Sequence, residues 1–226
     1  MSARVKRRAR TTALVGAVLG ALVIVSAAAA DKEKIQLNPA DQAAARAVLV
    51  THADLGNAAG WKGKTTKPDL DQSMPCSDFK PKQSDLVLTG AADNTWSNNG
   101  IEIDSEAQVL RTPAMVDLDW KRTVVDPRVL PCLRHGLADQ IPKGQGALVS
   151  FKRMSFPTVG THAAAFRGLV DVKASGGTVR MVFDFVLTYG GRTEISLTVV
   201  APAATATVLR PLELKLAQSM VARATA

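Results

Sequence analysis

The chain has 226 residues, 46% hydrophobic and 21% charged, a globular composition that excludes a disordered or fibrous chain. Aromatics are only 4%, so alanine and valine must fill much of the core, and nothing signals a large aromatic ligand pocket. The net charge of +8 would suggest a nucleic-acid partner, but five of the 28 bases (Arg4, Lys6, Arg7, Arg8 and Arg10) precede residue 31 with no acid among them; this leaves 23 against 20 acids, and no nucleic acid is expected.

Residues 1–30 read as an export signal. A basic stretch is followed by the apolar run Leu14 to Val25, and Ala28-Ala29-Ala30 offers an A-x-A cleavage site before Asp31. The alternative is an uncleaved anchor, because residues 11–30 carry no charge and are long enough to span a bilayer as a membrane tether. Both outcomes predict an extracytoplasmic protein, secreted or held at the plasma membrane. In that compartment the only two cysteines, Cys76 and Cys132, are expected as a disulfide. The bond would close a loop of about 56 residues and stabilise by roughly 4 kcal/mol.

Residues 31–37 read as a short charged tether, and 38–226 as a single α+β domain. Asn38-Pro39 starts a helix through Asp41 to Thr51, ending near Gly56, with His52 at its C-terminal end. Residues 57–75 hold glycines, prolines and polar residues and predict an irregular connection. Asp85 to Thr89 is a short strand. After the turn residues Ser97 to Gly100, Ile101 to Arg111 alternate: Ile101, Ile103, Ala107 and Val109 face one way, and Glu102, Asp104, Glu106 and Gln108 the other. This predicts a half-exposed strand of an antiparallel sheet. Pro113 opens a short helix carrying Met115, Leu118 and Trp120, and Asp126-Pro127 starts another bearing Cys132. Four strands follow at about 146–156, 163–173, 178–189 and 192–200, then a helix with Leu212, Leu216 and Met220 on one stripe. The expectation is an antiparallel sheet of about six strands with helices packed mainly on one face.

The loop Ala174-Ser175-Gly176-Gly177 sets a register with Arg180 opposite Asp171 and Asp184 opposite Arg167. A two-residue Gly-Gly turn would instead oppose Lys173 and Arg180, two like charges, so the first register is preferred. Arg167, Asp171, Arg180 and Asp184 then form a charged checkerboard among Val182 and Val186. It is either a solvated face or a shallow binding face for a ligand or partner.

No catalytic or metal site is predicted. Ser77 to Lys80 matches S-x-x-K, but prolines bracket it and no K-T-G follows. His52, His135 and His162 show no ligand spacing. Asp117 and Asp119 lie two apart on a helix and read as solvated surface. No glycine pattern supports a nucleotide, and no cofactor is expected. No G-x-S-x-G elbow is present, although a Ser-His-Asp arrangement is recognised by geometry rather than spacing. Trp120 is expected in the core, and Trp61 and Trp96 in loops.

Asp54-Leu55-Gly56 followed by Gly60-Trp61, then Cys76, Asp85 to Gly90, Arg111 to Met115 and Cys132 together resemble the actinobacterial sensor-type exported domains. These are the PknH extracytoplasmic domain and the LpqN-type envelope lipoproteins, on a PsbP-like α/β sandwich. The resemblance spans about residues 39–224. It departs in two respects: these 226 residues contain no kinase domain, and one disulfide can form here where that sensor has two. It implies a non-catalytic extracytoplasmic module of the bacterial envelope that binds or senses a ligand or protein. The alternatives are a cell-wall hydrolase with dispersed catalytic residues and a structural partner of a membrane complex.

Overall fold

The structure, a computed structural model, describes residues 32–70 and 79–226. The export signal, Cys76 and Ser77 lie outside the described residues. No described helix is long and apolar enough to cross a membrane.

The strands are β1 (Lys34–Ile35), β2 (Lys62–Thr66), β3 (Val87–Asn98), β4 (Ile101–Leu110), β5 (Gly146–Met154), β6 (Ala163–Ala174), β7 (Gly177–Gly190) and β8 (Thr193–Pro202). They form one sheet in the order β1-β3-β4-β8-β7-β6-β5, with β2 also paired to β3. All pairings are antiparallel except β1 with β3. The helices are α1 (Pro39–Val48), α2 (Pro113–Thr123), α3 (Val129–Gln140) and α4 (Ala206–Ala224).

The class is the expected one, with eight strands rather than about six. The additional strands lie where the sequence carries no alternating apolar signal. Lys34–Ile35 sits in the stretch expected as a tether, and Lys62–Thr66 in the one expected to be irregular. β3 runs on to Asn98 through the polar residues Asp93 to Asn98, which places Trp96 on a strand rather than in a loop. The β3–β4 hairpin closes on Asn99-Gly100, both at positive φ (47° and 82°), the tight turn for which Asn-Gly is suited.

Helices cover both faces. On one, α2 and α3 pack Trp120, Leu133 and Leu137 against Phe151, Phe166, Phe183 and Phe185. On the other, α1 and α4 pack Val48, Leu209, Leu216 and Met220 against Ile103, Ala107, Val182, Val186 and Val199. One-sided packing was expected because β6–β7 shows charges on one face, and α4 covers some of those charges.

α1 begins as its residues predict, with Asn38 Oδ1 accepting from the Asp41 backbone N–H at 2.9 Å. It ends at Val48, so His52 lies beyond the helix and stacks on Trp96 at 5.6 Å between ring centroids. The last carbonyls of α1 accept from Arg223 of α4, Val48 O at 3.1 Å and Leu49 O at 3.0 Å, and Asp54 holds the same guanidinium at 3.0 Å. α1 crosses β3 at Gly90, where a Cβ would lie 2.2 Å from the Asp41 carbonyl oxygen. Two motifs behind the family resemblance thus have structural roles: Asp54 ties α4 to the end of α1, and Gly90 admits α1 to the sheet.

Candidate functional site

The β6–β7 register is the expected one: Arg167 faces Asp184, Asp171 faces Arg180, Val170 faces Met181 and Phe166 faces Phe185. The exposure of this face differs from expectation. Asp184 is fully buried and Arg167 largely so, because α4 lies over them; Arg180 and Asp171 stay in solvent near the hairpin tip. Glu213 of α4 is also fully buried and meets Asp184. The four residues therefore do not form one open face. Half is an interior ion-pair network and half is surface.

A different set of polar groups converges on the opposite face. Register places Glu102, Asp104, Glu106 and Gln108 of β4 beside Val200, Thr198, Ser196 and Glu194 of β8. The polar side of β4 was expected to meet solvent. Instead its β8 end forms the floor of a cavity of about 110 Å³ roofed by α2 and α3. The floor is Glu106, Gln108, Glu194 and Ser196 with Leu187 and Tyr189 of β7. Asp119 and Thr123 of α2 and Cys132 and Leu133 of α3 cover it, and Glu33, Phe79 and Gln83 close the sides.

Asp119 was expected on the surface but is 5% exposed. It accepts from Gln83 Nε2 at 2.7 Å and Thr123 Oγ1 at 3.0 Å. Asp117, two residues earlier, points outward and meets His162 Nε2 at 2.9 Å. Glu106 accepts from Gln108 Nε2 at 2.6 Å. Glu194 Oε1 and Ser196 Oγ are buried, and among the described residues no protein donor or acceptor reaches them.

Burial pushes the Glu33 and Glu106 carboxyls up to about 7, and neighbouring acids add to it: Asp119 for Glu33, Asp93 for Glu106. Asp119 is raised by burial against the pull of Gln83 and Thr123. Glu194 is raised well above the carboxylate range, first by burial and then by Asp119 and Glu33. Burial lifts the Tyr189 phenol further still from ionisation. Past the cavity the acidic row continues along β4, with Glu102 lifted to about 7 and Asp104 to about 6, again mainly by burial.

The sequence did contain a signal for this site. Glu194, Ser196 and Thr198 alternate with Ile195, Leu197 and Val199, matching the alternation in β4. Only the β4–β8 pairing, which joins strands some 90 residues apart, puts the two polar rows side by side. Cys132 is buried on α3 in the cavity roof and is not a free thiol. The three histidines lie apart: His52 on Trp96, His162 on Trp120, and His135 beside Asp139 on α3.

No family model matches the chain, and no curated protein matches its sequence. The fold is structurally similar to the extracellular domain of PknH from Mycobacterium tuberculosis: TM-score 0.45, 10% identity, 83% of this chain and 97% of that one. It is similar to the Rv0999 ortholog of Mycobacterium smegmatis at TM-score 0.41 and 12% identity, over 80% and 98%. A third match is LpqN, involved in cell envelope biogenesis of Mycobacterium tuberculosis, at TM-score 0.29 and 14% identity, over 75% and 95%. PknH and LpqN are the two proteins that the sequence motifs resemble.

Proposed function

We propose that this chain is a non-catalytic extracytoplasmic module that binds a small ligand in the cavity between α2, α3 and strands β4, β8 and β7. One observation carries this: polar groups from separate segments converge on a partly open cavity and, among the described residues, Glu194 Oε1 and Ser196 Oγ have no protein partners. The extracytoplasmic setting rests on the basic-then-apolar pattern of residues 1–30. The volume of about 110 Å³ is well below that of drug-sized pockets, which suits a ligand, or the head of one, of a few heavy atoms.

A hydrolase is the competing reading, since paired carboxyls with raised pKa are general-acid material. Among the described residues no serine, cysteine or threonine nucleophile paired with a histidine base lines the cavity, and its size disfavours a polymeric substrate beside Asp119 and Glu194.

A thermal-shift screen with small metabolites tests the proposal against Ser196→Phe, which fills the cavity floor. Stabilisation of the wild type that is absent in this variant is expected. Equal stabilisation of both places the site elsewhere.

A further inference from the structure

The cavity holds more acceptors than its own donors can satisfy. Its carboxyls come from four separate places: Glu33 before β1, Glu106 on β4, Asp119 on α2 and Glu194 on β8. Among the described residues no lysine, arginine or histidine lines it. The nearest guanidinium acting on Asp119, that of Arg122, binds Asp85 with both nitrogens, at 2.6 and 3.0 Å. Arg192 binds Asp41 at 2.7 Å. The amide donors Gln83 and Gln108 are spent on Asp119 and Glu106. The buried Asp119 also pushes the Glu194 carboxyl up, so one carboxyl bears on the other across the space. Glu194 Oε1 and Ser196 Oγ remain buried without partners among the described residues.

We infer that the cavity binds a small organic cation, a primary ammonium on a short carbon stem, with its N–H groups donating to Glu194, Asp119 and Ser196. An ammonium offers three donors, no acceptor and one positive charge, which is what the wall lacks. Phe79 and Tyr189 supply apolar and aromatic surface for the methylenes and the charge. A metal ion fits less well, because among the described residues no three potential ligands converge closely enough to hold one.

The cation takes the place of protons. Glu33, Glu106, Asp119 and Glu194 face the space, with the neutral Tyr189 phenol beside them and the Arg122–Asp85 pair behind Asp119. Binding should therefore release protons and tighten as pH rises from 5 to 8.

This inference rests on the proposed binding role, and calorimetry on the full chain in detergent separates the two. The probes are n-butylammonium, n-butanol, acetate and calcium ion, with wild type and Glu194→Gln. Expected are saturable binding of butylammonium, at least tenfold tighter than butanol and tenfold weaker in Glu194→Gln, and proton release seen as a dependence of the heat on buffer ionisation. Should the variant fail to fold, proton release and the pH dependence in wild type carry the test. Butanol binding as tightly as butylammonium, and lost in Ser196→Phe, overturns the cation inference but keeps the pocket. Binding of calcium or acetate in preference to the amine also overturns the inference. If no probe binds the wild type, the inference falls, and the pocket is then judged by the wider metabolite screen.

Discussion

Arg167 Nε donates to Asp184 Oδ1 at 2.6 Å from directly across the β6–β7 ladder, and the pair lies under the C-terminal helix rather than in solvent. The same ladder carries a second pair, Arg180 to Asp171 at 2.7 Å, which stays exposed. The two pairs have the same chemistry and differ in burial, so they respond differently to the loss of one partner. Asp184→Asn leaves Arg167 without its counter-charge under α4 and is expected to cost about 3 kcal/mol. Asp171→Asn should leave the melting temperature unchanged. Chemical denaturation of both variants checks the contrast.

Glu213 sits on the other side of Asp184, and burial, followed by Asp184 itself, pushes its carboxyl up to about 8. An acid whose pKa is higher folded than unfolded makes the folded state bind more protons between the two values. Its contribution therefore declines as pH rises from about 4.5 to 8. Glu33, Glu102 and Glu106, all lifted to about 7, act in the same direction. Asp41 and Asp54, held low with the help of Arg192 and Arg223, act oppositely and weaken the fold only below about pH 4. Maximum stability is expected near pH 5, with a lower melting temperature at pH 8. Glu213→Gln should raise stability at pH 8 by roughly 2 kcal/mol or more and flatten part of this slope. A variant with an unchanged slope contradicts the assignment.

At Gly90 the approach of α1 leaves no room for a methyl group, since its Cβ would sit 2.2 Å from the Asp41 carbonyl oxygen. Gly90→Ala should cost about 2–3 kcal/mol by pushing α1 off β3. Because Asp41 also binds Arg192, the same variant should loosen the β8 turn, read as faster amide exchange at residues 191–193.

The expected Cys76–Cys132 bond would fix Cys132, in the cavity roof, to a position 56 residues earlier. Reduction should lower stability by roughly 4 kcal/mol. Thiol titration of the unfolded, unreduced protein should find no free thiol. Two reactive thiols contradict both the bond and the oxidising compartment it implies.

What was legible in the sequence, and what was not, follows from the range of the interactions. Asn38-Pro39, Thr112-Pro113 and Asn99-Gly100 act within a few residues, and the elements they begin or join are where they predict. The β6–β7 register could be read because opposed charges and a short loop are also local. The burial of Asp184 could not, because its cover, Glu213, lies 29 residues away on a helix whose apolar stripe says nothing about which face it meets. β1 and β2 have no apolar alternation, since they pair at the edge of the sheet and bury little. The cavity needed four distant segments, the stretch before β1 and then β4, α2 and β8, and in each the acidic residue alone looks like surface.

The most direct measurement uses Tyr189, the chain's single tyrosine and part of the cavity wall. With 13C-labelled tyrosine the ring gives one set of signals, which reports on the cavity wall and on the Trp120 and His162 rings packed against it. Addition of small metabolites to the wild type is predicted to shift those signals saturably, in parallel with the binding heat, and to leave Ser196→Phe unmoved. Binding heat without any movement of the Tyr189 signals would contradict the assignment of function to this cavity.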